Sequence, residues 1–399
     1  MTKTKSYLLW SAFSFLSLTI IAFLTIKLPY WGDERHIVET IRLFSNNFNL
    51  ATLKDYPEVT PPFFFIFYAS WAKIFASSLE SLRVLTLIIS FTTWQLVFFL
   101  NSIFTKNNLH ALILSLIFVL NPYVLGTSVF VFTDTFTIML CITSIILFIK
   151  DKLLFSSILA MLAVLSRQYA IIVPLSMIVF LILQKNNKQR INWNYIFILG
   201  LSLIPLLILF LFWHGITPQS GSEKWIIKNS HFYNIDYINT YITFSTIYLL
   251  PLIIFFITKT KLNYRYILIA LGINIVLNFF PVKPSTVTLV QTDYSTVGYI
   301  HKFILSILGR NNFVTSLILW ICLLLGCYLN ILIIKRFISN VKSQIIKIEV
   351  VPFLLWFFFL IIMPISYQVW EKYLTLVLPF LILSLYLYIF PISEEKLII

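Results

Sequence analysis

Six consecutive residues, Trp31-Gly32-Asp33-Glu34-Arg35-His36, set two carboxylates and an imidazole side by side just past an apolar run. Such a group suits a general base or a metal ligand. At the boundary of lipid and water, apolar surroundings raise a carboxylate's basicity, which favours taking a proton from a hydroxyl. The plainer alternative is a solvated loop helix with Asp33 as its cap. Val59-Thr60-Pro61-Pro62 reads as a rigid helix entry. Phe132-Thr133-Asp134-Thr135 puts an acid at the opening of an apolar segment, as a cap or as a functional ionisable group at a span's edge. Ser166-Arg167-Gln168-Tyr169 places an arginine between two apolar runs. Arginine matches phosphate oxygens with two parallel hydrogen bonds, and an ion pair with Asp134 or the Asp33 loop is the alternative. Trp370-Glu371-Lys372-Tyr373 brings a further cation just before the last apolar run, where a snorkelling lysine is the bland reading. The stretch from Asp293 to Arg310 adds Tyr294, Tyr299, His301 and Lys302.

The elements that must position these residues are apolar. Of the 399 residues, 59% are hydrophobic and 11% charged, against about 25% charged in soluble domains. The mean hydropathy is +0.92. Apolar runs recur near 7–28, 61–79, 84–103, 109–125, 132–149, 153–166, 168–184, 195–213, 239–258, 266–281, 313–334, 350–366 and 373–391. Many are long enough for a bilayer core of about 30 Å. They are continuous rather than alternating, and lipid leaves backbone groups no partner, so helices are expected. The fold class is therefore an all-α polytopic membrane protein, one transmembrane domain over residues 1–399. In the polar stretch 29–60, Ile37, Ile41 and Phe44 fall at helical spacing, which predicts an amphipathic helix over 34–48 lying on the membrane surface.

The connections Lys150-Asp151-Lys152, Lys185 to Arg190, Lys259 to Arg265 and Lys335 to Lys347 are basic, and the bias of Lys and Arg places them inside. The stretches 126–133, 167, 215–238, 282–312 and 367–372 then face outward, and both termini lie inside. That needs an even number of spans, while the runs are odd in number. The conflict falls between Pro61 and Leu125, and about twelve spans are expected. The first run follows Lys3 and Lys5 without a small-residue cleavage site, so it reads as an uncleaved helix. The net charge of +14 sits in the short cytoplasmic clusters, which argues against nucleic acid. Cys141, Cys322 and Cys327 lie in apolar segments and read as packing residues.

On this topology the acids of the first outward loop and the cations of later outward ends share one side. That suits a site where a lipid-linked phosphate donor meets a hydroxyl acceptor. Cations would steady the leaving phosphate while a carboxylate activates the acceptor.

The same segments resemble a known family, the dolichyl-phosphate-glucose-dependent alpha-1,2-glucosyltransferases. Pro29-Tyr30-Trp31-Gly32-Asp33-Glu34-Arg35-His36 is similar to that family's PYxDExxH opening, with one extra residue before the acid pair. Thr60-Pro61-Pro62 resembles TxPG, with Pro62 in place of glycine. Phe132-Thr133-Asp134 resembles YYT[DE]. Arg167-Gln168 with Ile171-Ile172 resembles RQTNIIW, with Tyr169-Ala170 in place of Thr-Asn. Glu371-Lys372-Tyr373 with Leu378-Pro379-Phe380 resembles EFRYFILPY, with Lys372 in place of arginine. The order holds from about residue 29 to 385.

The resemblance implies a GT-C-type fold and inverting transfer of a hexose, with glucose the first expectation. The donor would be a polyprenyl- or dolichyl-phosphate sugar and the acceptor a glycan hydroxyl. It assigns Asp33 as the base and Glu34 as the second choice. Arg167 and Lys372 would bind the donor phosphate, and Gln168 and Tyr373 would line the pocket. His36, Asp134, Tyr294 and Lys302 join the substrate-binding set. No cofactor is expected, and no metal-ligand set is visible beyond Asp33, Glu34 and His36. The membrane would be the endoplasmic reticulum in a eukaryote or the inner membrane in a bacterium, with the site on the lumenal or periplasmic side. The competing reading is a transporter, or a flippase or polymerase of lipid-linked saccharides. Transporters carry ionisable groups mid-span, whereas charges here gather at span ends. No internal repeat is visible, which also disfavours a duplicated transporter.

Overall fold

The computed structural model describes residues 2–105, 107–184, 192–224, 233–259, 262–292, 295–310, 312–342 and 347–390. Every regular element among them is helical. The chain divides into two compact units, one of Met1–Leu181 with Asn192–Lys228 and the other of Ile182–Ile191 with Asn229–Ile399.

In the first unit, helix α1 (Lys3–Thr25) turns one narrow face inward through Ser6, Trp10, Ser14 and Leu18. Trp10 stacks on Phe98 at 5.6 Å and donates its indole N–H to the Trp94 carbonyl. The opposite face leaves Leu8, Phe15, Leu16 and Phe23 exposed, a surface that only lipid would solvate. A turn through Gly32 at φ +58° leads into α2 (Glu34–Asn46). The apolar stripe of α2 is Ile37, Val38, Ile41 and Phe44, all buried. The expected amphipathic helix is present, and its stripe packs inward. Phe44 stacks against Phe65 of α3 (Phe63–Ile74) and meets Tyr56, so protein rather than lipid covers the stripe.

Helix α4 (Leu79–Phe104) begins at Ser78, whose hydroxyl accepts from Ser81 N–H, and crosses the unit. Beyond it lie α5 (Asn108–Val119), α6 (Thr133–Ile149) and α7 (Leu153–Val164). Helices α6 and α7 approach closely through two serines, Ser144 and Ser156, each hydroxyl donating to the other's carbonyl at 2.8 Å. A 3-10 turn, Gln168–Ile171, opens α8 (Ile172–Leu183).

In the second unit, α9 (Asp236–Tyr248) and α10 (Leu250–Lys259) form one apolar stretch bent by 73°. Pro251 has no N–H for the preceding turn, which accounts for a break there. Gly326 of α11 (Phe313–Lys342) lets α9 come close. A Cβ at that position would meet Ile242 Cγ2 at 2.6 Å and Ile242 O at 2.9 Å. Helix α12 (Val350–Ile362) is buried over Val350–Trp356, and α13 (Leu378–Ile389) almost throughout.

Among the described residues, four helices are long and apolar enough to cross a membrane: Lys3–Thr25, Leu79–Phe104, Trp193–Trp213 and Phe313–Lys342. The bent pair α9–α10 supplies a fifth if it is one span. These are the helices of an integral membrane protein. The other apolar helices among the described residues are shorter, at 10–17 residues, so length alone does not deliver twelve full crossings. Between Pro61 and Leu125 the three apolar runs form helices of unequal length. Helix α4 has 26 residues, whereas α3 and α5 have 12 each, about 18 Å of rise against a core of about 30 Å.

Candidate active site

The acid pair separates into two environments. Glu34 and Arg83 are both fully buried, at 0% exposure. Arg83 Nε donates to Glu34 Oε1 at 2.9 Å and Nη2 to Oε2, a bidentate pair. Glu34 also accepts from the Trp31 N–H at 3.1 Å and the Val131 N–H at 2.9 Å. Arg83 Nη1 donates to the carbonyls of Thr25, Ile26 and Leu28, and Nη2 to that of Pro29. The carbonyls at the end of α1 have no partner within the helix, and this guanidinium supplies one. Glu34 thus anchors the loop to α4, and every side of its carboxylate is occupied by a donor. The geometry gives it a holding role, whereas the Asp33 carboxylate is half-exposed.

Asp33 stands at the N-cap position of α2 but makes no capping hydrogen bond through its side chain. The carboxylate is 45% exposed. It lies 3.8 Å from His36 Nε2, one turn on along the helix. The other ring nitrogen, Nδ1, is 2.6 Å from Glu58 Oε1. Burial pulls the His36 imidazole toward neutrality. The hydrogen bond to Glu58 and the nearby negative charges of Asp33 and Glu58 outweigh that, and its pKa rises to about 8. Glu58 is buried at 4% exposure, accepts from the Thr40 hydroxyl and has Lys224 Nζ at 3.8 Å.

Trp31 stacks on Phe130 at 4.8 Å and meets Phe132 edge-on, which fixes the loop's path beside Asp33. Arg83 sits over the other ring of this pair, 4.9 Å from the Phe130 centroid.

The second acid, Asp134, pairs with Arg167. Arg167 Nη2 donates to Asp134 Oδ2 at 3.0 Å, Nε to the Thr133 hydroxyl and Nη1 to the Tyr169 hydroxyl. Of the two readings open for Arg167 in the sequence, the geometry realises the ion pair. Gln168 donates its amide to the Val59 carbonyl, tying the 3-10 turn to the loop that carries Glu58.

In the second unit, Glu371 is fully buried. It accepts from the N–H groups of Ile300 and His301, at 3.1 and 2.7 Å, and from the Tyr248 hydroxyl. It therefore caps the helix Tyr299–Leu308 and ties the segment bearing Lys302 to the segment bearing Lys372. Lys302 is exposed and Lys372 half-buried. Tyr373 is buried, with its hydroxyl 3.4 Å from Gln368 Oε1. Tyr294 lies outside the described residues.

Glu58, Arg83, Lys224, Tyr248 and Glu371 take part in these clusters without having been singled out for chemistry by the sequence. Arg83 carried a usable signal, because an arginine beside an apolar run needs a partner. Glu58 carried a weaker one, two residues ahead of Thr60-Pro61-Pro62. Among the described residues, no group of three His, Cys, Asp or Glu side chains is arranged to hold a metal ion.

No family model matches the chain, and no curated protein does. Among solved structures, the chain is similar to the crystal structure of ArnT from Cupriavidus metallidurans in the apo state. That similarity has a TM-score of 0.42 at 11% identity, covering 95% of this chain and 77% of that chain.

Proposed function

We propose that this protein is an inverting membrane glycosyltransferase of the GT-C class. It moves a hexose, glucose first, from a polyprenyl- or dolichyl-phosphate donor to a hydroxyl of a lipid-linked or surface glycan. The observation that carries the reading is the half-exposed Asp33 carboxylate, set by α1 at the polar end of an apolar helix and joined to His36. A base at the lipid–water boundary is what a reaction between a membrane-embedded donor and a hydroxyl requires.

In the reaction, Asp33 takes the proton of the acceptor hydroxyl as its oxygen bonds to the sugar's anomeric carbon. The bond from that carbon to the phosphate oxygen breaks, and the lipid phosphate leaves with the electron pair. One displacement inverts the anomeric centre. Glu34 anchors the loop against Arg83 and Val131. We assign Lys302, Lys372, Tyr294 and Tyr373 to the donor phosphate and sugar. Asp134, Arg167 and Gln168 hold the wall on the side of the Glu58 loop. The active face is lumenal in a eukaryote or periplasmic in a bacterium.

The test is a donor screen. Purified full-length protein in nanodiscs is supplied with polyprenyl-phosphate glucose, mannose or another hexose and a mixture of lipid-linked acceptors. Mass spectrometry should find an acceptor heavier by one hexose and release of the lipid phosphate. No mass shift with any monophosphate donor, together with saccharide flipping in liposomes, would overturn the reading in favour of a flippase.

A further inference from the structure

The polar cluster around His36 contains two side chains that the reaction above does not use, Glu58 and Lys224. The His36 ring bridges two carboxylates of unlike setting, buried Glu58 at Nδ1 and half-exposed Asp33 at Nε2. Glu58 itself is held by the Thr40 hydroxyl at 3.4 Å and the Lys224 ammonium at 3.8 Å.

The backbone around Glu58 is fixed from several directions. The Tyr56 hydroxyl donates to the Thr60 carbonyl at 2.7 Å. Asp55 accepts from the Ser220 N–H and hydroxyl, which clamps the loop to the helix Gln219–Lys224. Gly221 packs directly on the Glu58 backbone, where a Cβ would stand 2.7 Å from the carbonyl carbon. A carboxylate placed with this much support, and not itself open to a reactant, acts on its neighbour.

We infer that Glu58, steadied by Lys224 and Thr40, is a positioning residue that orients His36 and through it presents Asp33 to the acceptor hydroxyl. The inference rests on Asp33 being the base. With Nδ1 donating to Glu58, the ring is fixed in plane and its second nitrogen is directed to Asp33. An exposed aspartate would otherwise sample several rotamers, and misplacement of a base costs rate steeply.

The charged groups facing His36 have opposite signs, and this makes the inference testable. Asp33 and Glu58 favour the imidazolium. Lys224 shares Glu58 and opposes it. Removing the charge of Glu58 must lower the pKa of His36, and removing that of Lys224 must raise it. Loss of a structural prop would not produce shifts of opposite sign.

The experiment is a titration of isotope-labelled histidine side chains by NMR in the full-length protein, over about pH 5 to 10, with the His36 signal assigned from His36→Gln. Wild type should titrate near 8, as the bridge between two carboxylates requires. Glu58→Gln should shift that value down by about one unit or more, and Lys224→Met should shift it up. In parallel transfer assays, Glu58→Gln should lower kcat roughly ten- to hundred-fold at unchanged donor KM, with Glu58→Asp restoring part. An unmoved His36 titration in Glu58→Gln, or shifts of the same sign in the two variants, would overturn the inference. Lys224 is at the surface, so its variant keeps the test sound if Glu58 variants unfold. Absence of transfer with every donor counts against the proposed reaction, while the titration decides on Glu58 by itself.

Discussion

Arg83 offers the sharpest quantitative prediction. Its guanidinium makes two hydrogen bonds to Glu34 and four to carbonyls at the end of α1, all away from water. Arg83→Met removes all six and leaves the Glu34 charge buried, with only the Trp31 and Val131 N–H groups as partners. Breaking a buried pair from one side costs about 3–5 kcal/mol. Glu34→Gln keeps the shape and one acceptor, so its cost is smaller, about 1–3 kcal/mol. In Arg83→Met/Glu34→Gln no charge is stranded, and the double variant should be more stable than the sum of the two single losses predicts. The assay is thermal unfolding of the detergent-solubilised protein followed by tryptophan fluorescence. Arg83→Met should melt on the order of 10 °C below wild type. If it melts with wild type, or if single and double losses add within about 0.5 kcal/mol, the pair is not the anchor described here.

Three further outcomes follow from named contacts. His36 has a folded pKa of about 8, above its ordinary 6.5, so its stabilisation is complete below pH 6.5 and disappears as pH rises through 8. Melting measured at about pH 6 and pH 9 should differ by on the order of 1–2 kcal/mol in wild type, and His36→Gln should flatten the difference. Gly221→Ala places a Cβ against the Glu58 backbone, so it should lower both stability and transfer, while Ser222→Ala one residue on should leave both near wild type. Glu371→Gln weakens the cap of Tyr299–Leu308 and the bond to Tyr248. Its cost should be about 1–3 kcal/mol, and hydrogen exchange at Ile300 and His301 should speed up where Tyr248→Phe alone changes it less.

The apolar runs were legible because lipid-facing and core-facing helices share one requirement, a continuous apolar segment. The run at 132–149 became Thr133–Ile149 and that at 313–334 became part of Phe313–Lys342. The break at Leu249 was missed because the stretch is apolar on both sides of it, although Pro251 carried a signal for it. The α2 stripe shows a different limit. Spacing says that Ile37, Ile41 and Phe44 must be covered, but only the fold says that Phe65 and Tyr56 cover Phe44.

The acid pair shows a third limit. Asp33 and Glu34 are chemically alike and adjacent, and what separates them is Arg83, 49 residues away from Glu34. Likewise Asp134 meets Arg167 across 33 residues, so the sequence left the arginine's partner open. Long-range pairing of this kind depends on how the helices pack, which no local pattern encodes.

The most direct test of the account is the transfer rate of Asp33→Asn at saturating donor and acceptor. With Asp33 as the base, kcat should fall about 10²- to 10⁴-fold, donor KM should hold, and the variant should stay folded, its melting temperature lowered only by the loss of the Asp33 charge beside His36. Asp33→Asn turning over within about three-fold of wild type, or losing activity only because it no longer folds, would contradict the assignment.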